Sequence, residues 1–76
     1  MKSELDMYVV NKVKAKRIEM KLSQEAFGDL NGLSQSYITH CESPKQHEKY
    51  NLNHIHSFAK FFKCSLYDFI PEYPID

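Results

Sequence analysis

Apolar positions along the chain recur every three or four residues, and Ser, Asn, Gly and Pro interrupt them at intervals, which is the pattern of short amphipathic helices. Five such segments account for nearly the whole sequence. The first spans residues 6–20. Val9, Val10, Val13, Arg17 and Ile18 share its apolar face, and Ser3 with Asp6 forms a capping-box pattern at its start. Arg17 is the odd member of that face: its stem lies near the core, so its guanidinium needs a carboxylate partner. The second segment begins at the N-cap Ser23, carries Gln24 and Glu25 in its first turn and turns Ala26, Phe27 and Leu30 inward. It stops at Asn31-Gly32, where the glycine can take the left-handed conformation. Leu33 and another N-cap, Ser34, lead into the third segment, residues 35–42. There Ile38 and Cys41 face the core, while Gln35, Ser36, Thr39 and His40 fall on the outer side. Ser43-Pro44 opens a loop over residues 43–50. The fourth segment, residues 52–62, is capped by Asn51 and carries a core stripe of Leu52, Ile55, Phe58, Ala59 and Phe62. The fifth starts at Ser65, with Asp68 as capping-box partner and Leu66, Phe69 and Ile70 as its apolar face, and Pro71 ends it. The tail, residues 71–76, has no clear periodicity.

Segments two and three are short, Ser-capped and joined by a turn containing Gly. That spacing predicts a helix-turn-helix over residues 23–42, whose second helix can enter a DNA major groove. Glutamine offers a donor and an acceptor together and can pair bidentately with adenine, and Ser or Thr can serve several bases. An ordinary corner between two helices, with a polar outer face, has the same pattern.

Composition narrows the classes. The chain has 76 residues, enough for one domain and one core. Hydrophobic residues at 42% and charged residues at 26% separate it from disordered chains, and two Gly with three Pro leave little for a loop-rich or all-β fold. No apolar run approaches the ~20 residues of a membrane span, and the N-terminal sequence lacks the pattern of a signal peptide. Cys41 and Cys64 are too few for a disulfide scaffold, which predicts a reduced, cytoplasmic protein. The formal net charge is zero but unevenly spread. Lys12, Lys14, Lys16, Arg17 and Lys21 outnumber Glu19 in residues 12–21, and Lys45, Lys49, Lys60 and Lys63 outnumber Glu48 in residues 45–63. Residues 64–76 hold only Asp68, Glu72 and Asp76. A small domain of this kind can set a basic face on a polyanion and keep an acidic end away from it. Solvated helix faces produce the same distribution.

Three stretches, in order, resemble the Xre family, the DNA-binding domains of phage repressor and Cro proteins. Residues 12–18, KVKAKRI, resemble its first helix. Leu22-Ser23-Gln24-Glu25, then residues 32–39, GLSQSYIT, and Glu42 are similar to its helix-turn-helix. Cys64-Ser65-Leu66 with Phe69-Ile70 resembles its last helix. The likeness covers about residues 9–71 and implies an all-α, five-helix, lambda-repressor-like DNA-binding domain with a central helix-turn-helix. It implies that Gln24 touches the DNA backbone and braces the reading helix, and that Gln35, Ser36 and Thr39 face base edges. It also implies that His40 contacts bases or phosphate, that Lys45, His47 and Lys49 meet phosphate from the loop, and that Arg17 and Glu42 form an internal ion pair. The chain departs from the family pattern at Asn31, where an aliphatic residue is usual, and at Ser43-Pro44, where Gly is usual. Its loop, containing Glu48, is also less basic.

Other chemistry is poorly supported. His54 and His56 are two apart on a helix and point to different sides, and no His or Cys pair has the close spacing of zinc ligands. Cys41 reads as a small buried hydrophobe. No phosphate loop, nucleophile elbow or paired-carboxylate motif is present, and His40 and Cys41, adjacent on a helix, point apart; the expectation is no enzyme and no cofactor. Tyr37 either contacts DNA or packs beside the helix-turn-helix with its hydroxyl exposed; the second reading is preferred. The expected function is a sequence-specific double-stranded DNA-binding transcriptional regulator, either a repressor or the antitoxin of a toxin–antitoxin pair. It would act as a weak homodimer, or a dimer formed on DNA, with Tyr67 at the contact. The alternative is a protein-interaction module that uses the fold as a scaffold, a toxin being one such partner, with no membrane role.

Overall fold

Ser3 opens α1 (Glu4–Glu19): its hydroxyl accepts from the Asp6 amide, and the Asp6 carboxylate accepts from the Ser3 amide, closing a capping box. Burial opposes ionisation of Asp6, but the Ser3 bonds and the Lys49 ammonium outweigh it and hold the carboxyl below its usual range. The helix ends where Lys21, at φ 59°, reverses the chain and the Leu22 amide reaches back to the Arg17 carbonyl at 3.0 Å. Ser23 caps α2 (Gln24–Asn31), and Gly32, at φ 70°, ends it. Ser34 caps α3 (Gln35–Glu42), and Asn51 caps α4 (Leu52–Phe62). The computed structural model describes residues 1–75, so Asp76, one acid of the acidic end, lies outside the described residues.

The described residues form an all-helical fold of four α-helices, and the expected fifth helix is a single 3-10 turn, Leu66–Asp68. Two features stop it from growing. Pro71 disfavours helical backbone at Ile70. The segment between Ser65 and Pro71 is also too short to offset the nucleation of an α-helix. The expected capping box is absent as well. The Ser65 hydroxyl accepts from the Tyr67 amide, and Asp68 turns to Lys16 of α1, 3.7 Å away.

Val10 and Val13 from α1, Phe27 from α2, Ile38 and Cys41 from α3, Phe58 from α4 and Phe69 after the 3-10 turn are completely or almost completely buried. Phe27 sits at the centre, its ring 5.0 Å from Phe58, 5.7 Å from Phe62 and 6.1 Å from Phe61. Burial of such rings is the main stabilising term available to so small a chain. α3 packs against both α1 and α2, and α4 packs against α2 and the 3-10 turn.

Four residues expected in the core are not. Ile18 is 55% exposed, Leu30 60%, Leu52 77% and Leu66 41%. Ile18, Leu30 and Leu52 lie near helix ends, where the helix runs past the elements packed on it. Periodicity fixes the direction a side chain points but does not supply a neighbour to cover it. Conversely, Tyr50, expected in a loop, is buried, with its ring edge-on to Phe58 at 4.9 Å.

Candidate nucleic-acid interface

α3 has eight residues, and its inner face is fully engaged. Ile38 and Cys41 are buried in the core, and burial pushes the Cys41 thiol up to about 11, well away from thiolate chemistry. Glu42 is also buried. Its carboxylate accepts from Arg17 Nε at 2.8 Å and Nη2 at 2.9 Å, while Arg17 Nη1 donates to the Leu22 carbonyl at 2.7 Å. This bidentate pair ties the last turn of α1 to the last turn of α3, and it supplies the carboxylate that Arg17 needs.

Gln24, half-buried at the start of α2, extends the network. Its Nε2 donates to Glu42 Oε1 at 3.0 Å, and its Oε1 accepts from the Thr39 hydroxyl at 2.6 Å. Gln24 therefore braces α3, whatever else it touches. Gly28 lets α2 and the turn meet. A Cβ built there would stand 2.5 Å from the Leu33 carbonyl oxygen, and the Gly28 carbonyl accepts from the Leu33 amide at 2.8 Å.

The C-terminal end of α3 is held by Lys2. This lysine is 9% exposed, and its ammonium donates to the carbonyls of His40 (3.2 Å), Ser43 and Gln46 (2.9 Å). A cation there complements the helix dipole and gives a second donor to the His40 carbonyl, which already accepts from the Ser43 amide at 3.2 Å. Tyr37 packs among Tyr50 and His54, and its hydroxyl donates to the Lys49 carbonyl at 2.6 Å. The hydroxyl expected to be exposed thus pins the loop to α3, and burial pushes its pKa up strongly.

The outer face carries Gln35, Ser36 and Thr39, all exposed. His40 is half-buried, its Nδ1 3.5 Å from the Glu48 carboxylate. In the loop, Lys45 is exposed. Lys49 lies 3.3 Å from Asp6, and His47 Nδ1 lies 3.3 Å from the amine of Met1. Of the three loop residues assigned to phosphate, Lys45 is therefore the least committed elsewhere. Tyr67 is 65% exposed and borders a shallow hollow with Tyr8, Lys12 and Lys16 of α1.

Lys2, Gly28, Tyr50 and the box between Asn51 and His54 also shape the site, beyond the residues expected from sequence. In that box the Asn51 side chain accepts from the His54 amide, and His54 Nδ1 accepts from the Asn51 amide. Gly28 had a signal, since a glycine inside a helix is unfavourable unless something requires it. Lys2 had none, because its partners lie about forty residues away in sequence. Among the described residues, no group of three or more His, Cys, Asp or Glu side chains could hold a metal ion. Compared with protein-family models and with curated proteins, the chain gives no match.

Proposed function

We propose that the chain is a sequence-specific double-stranded DNA-binding transcriptional regulator, a repressor or a DNA-binding antitoxin. In this reading α2, the turn at Gly32 and α3 form a helix-turn-helix of the Xre type. One observation carries the reading. α3 presents Gln35, Ser36 and Thr39 outward while Lys2, Arg17, Gln24 and Tyr37 fix its position from other sides. A short helix with a polar outer face and a locked inner one suits insertion into a major groove, where Gln, Ser and Thr can read base edges. Lys45 would meet phosphate, and the second hydrogen of Gln24 Nε2 is available for the same purpose. Two copies on an inverted repeat, half-sites about one helical turn apart, would supply enough contacts for specific affinity, with Tyr67 between them. Free thiols at Cys41 and Cys64 suit a reduced cytoplasmic setting.

The test is a salt titration on selected and random duplexes. Lys45→Ala should weaken both and make the salt slope shallower by about one unit, whereas Gln35→Ala should weaken only the selected sequence, by ~1–3 kcal/mol. Equal losses on all duplexes from both changes would remove Gln35 from base reading. Absence of duplex binding at any salt would remove the function.

A second reading, a protein-interaction module, is favoured by one observation. A groove of about 690 Å³ runs between the starts of α1 and α4 and the tail, lined by Leu5, Leu52 and Tyr73 and flanked by Glu4, Asp6 and Glu72. No residue of α2 or α3 and no Lys or Arg lines it. Its chemistry complements a basic, apolar-anchored protein segment, as a toxin partner could supply. Charge-reversing Glu4 and Glu72 to Lys should abolish such capture while leaving duplex binding intact. No helix among the described residues is long and apolar enough to cross a membrane.

A further inference from the structure

Thr39 differs from its neighbours on the outer face of α3. Among the described residues, the Gln35 and Ser36 side chains make no hydrogen bond, so each can rotate to donate or accept. The Thr39 hydroxyl is already committed, 2.6 Å from Gln24 Oε1. The direction of that bond follows from the groups behind it. Glu42, bound in bidentate fashion by Arg17, presents only acceptors. The Gln24 amide atom 3.0 Å from Glu42 Oε1 must therefore be the NH2. The amide oxygen then faces Thr39, and an amide oxygen only accepts, so the single hydroxyl proton of Thr39 points inward to Gln24.

We propose that this relay, from Arg17 through Glu42 and Gln24, makes Thr39 an acceptor-only reader. It would select bases carrying an exocyclic amino group, adenine N6 or cytosine N4, at the position it contacts. The inference rests on the DNA-binding reading above and names the chemistry that one of its side chains recognises. Guanine offers O6 and N7 in the major groove and thymine offers O4, all acceptors. Against either base, the Thr39 oxygen sets lone pair against lone pair in a desolvated contact, and neither group finds a proton. A phosphate oxygen is excluded for the same reason, so the Thr39 hydroxyl cannot serve as a backbone anchor. A free hydroxyl would accept both classes of base. The polarity thus comes from a carboxylate buried under the helix rather than from Thr39 itself.

Selection from a random duplex pool with the full chain, repeated with three variants, tests this. The wild type should enrich adenine or cytosine over guanine or thymine about tenfold at one position on the contacted strand. Thr39→Val should erase the preference at that position alone. Thr39→Ser, which keeps the hydroxyl and its donation to Gln24, should retain it. Gln24→Met, which removes the amide acceptor and frees the hydroxyl to rotate, should admit guanine and thymine there. Circular dichroism should show all three variants folded. Enrichment of guanine or thymine at the position that Thr39→Val erases would overturn the proposal, as would Gln24→Met leaving the preference unchanged. If Thr39→Val erased no position while the chain still enriched a sequence, Thr39 would not be a reader, although DNA binding would stand. If no duplex were enriched at all, the DNA-binding reading would fall and the proposal with it.

Discussion

Glu42→Ala should destabilise the chain more than any exposed substitution, and the size of the effect follows from what it strands. The Arg17 and Glu42 side chains are 10% and 4% exposed, and the carboxylate takes two guanidinium bonds and one from Gln24. Without Glu42, Arg17 keeps only the Leu22 carbonyl, and its charge remains under the helices. Breaking a buried pair from one side typically costs ~3–5 kcal/mol. Folded chains hold about 0.05–0.15 kcal/mol per residue, so the whole stability here is roughly 4–11 kcal/mol. The loss is then between about a quarter and all of it. At roughly 4–8 °C per kcal/mol for a domain of this size, the melting temperature should fall by more than about 12 °C. The assay is thermal and urea unfolding followed by far-ultraviolet circular dichroism. Two companions separate charge from packing. Glu42→Gln, which keeps shape and an acceptor, should fall in between. Arg17→Met combined with Glu42→Leu removes both charges and should cost less than Glu42→Ala alone. Moving from 0.1 to 1 M salt should change these differences little, because a buried pair is weakly screened. A melting temperature for Glu42→Ala within about 3 °C of the wild type, or a double variant worse than the sum of the singles, would refute the reasoning.

Gly28→Ala should also lower the melting point despite alanine's better helix propensity. The new Cβ meets the Leu33 carbonyl oxygen at 2.5 Å, and overpacking against backbone costs ~1–3 kcal/mol; an unchanged or raised melting temperature would show that α2 and the turn can part freely. Tyr50→Phe should leave stability unchanged or raise it by about 1 kcal/mol in the same melts, since the buried Tyr50 hydroxyl has no hydrogen-bond partner among the described residues and its removal relieves a desolvated group; a clear loss would mean that the hydroxyl is satisfied in solution. Burial lowers the His54 pKa, and Nδ1 must be unprotonated to accept from the Asn51 amide. The unfolded chain, whose His titrates near ~6.5, then binds more protons than the folded chain just below that pH. This contribution is full above ~6.5 and is lost as pH falls through the lower folded value, so His54→Gln should flatten melting temperature against pH between about 7.5 and 5; a parallel curve would exclude His54 as the cause.

Much of the helical scaffold was legible because each helix has its own punctuation. Ser3, Ser23, Ser34 and Asn51 stand where chain direction changes, and each side chain accepts from an amide three residues on. α4 runs over the residues its apolar stripe marks. The outer face of α3 was legible for the same reason, since a period of 3.6 separates Gln35, Ser36 and Thr39 from Ile38 and Cys41. What the pattern could not supply was contact across the fold. It marked Arg17 as needing an acid but could not choose among ten acids, and Glu42 came from the family likeness. It placed Leu52 on an apolar stripe without knowing that this side chain stays uncovered while Ile55, one turn on, is buried. It extended a helix from Ser65 because capping residues and apolar spacing were both present, while Pro71 five residues beyond the 66 position left no room for one. It left Lys2 unassigned, because a lysine near a terminus reads as solvated until a helix end appears beside it.

The parts that were not legible are largely those that fix α3. An eight-residue helix is too short to persist by itself in water. Here its N-terminus is capped by Ser34, the His40 carbonyl near its C-terminus is bound by Lys2, its last turn is paired through Glu42, and its first turn is pinned through Tyr37 to the loop. Each restraint comes from a different part of the chain, so α3 keeps its position only while the whole domain is folded. The outer face of α3 is therefore already ordered in the free protein, and on the proposed reading a DNA partner meeting Gln35, Ser36 and Thr39 would have little of that entropy to supply. The same rigidity sets a limit on what the face can bind. A helix held at both ends cannot adapt its backbone, so discrimination must come from which side chains stand there and from how their donors and acceptors are aimed. On the proposed DNA-binding reading, that would place part of the discrimination behind the helix, in Gln24, whose substitution would change how the Thr39 hydroxyl is aimed without altering the outer residues of α3.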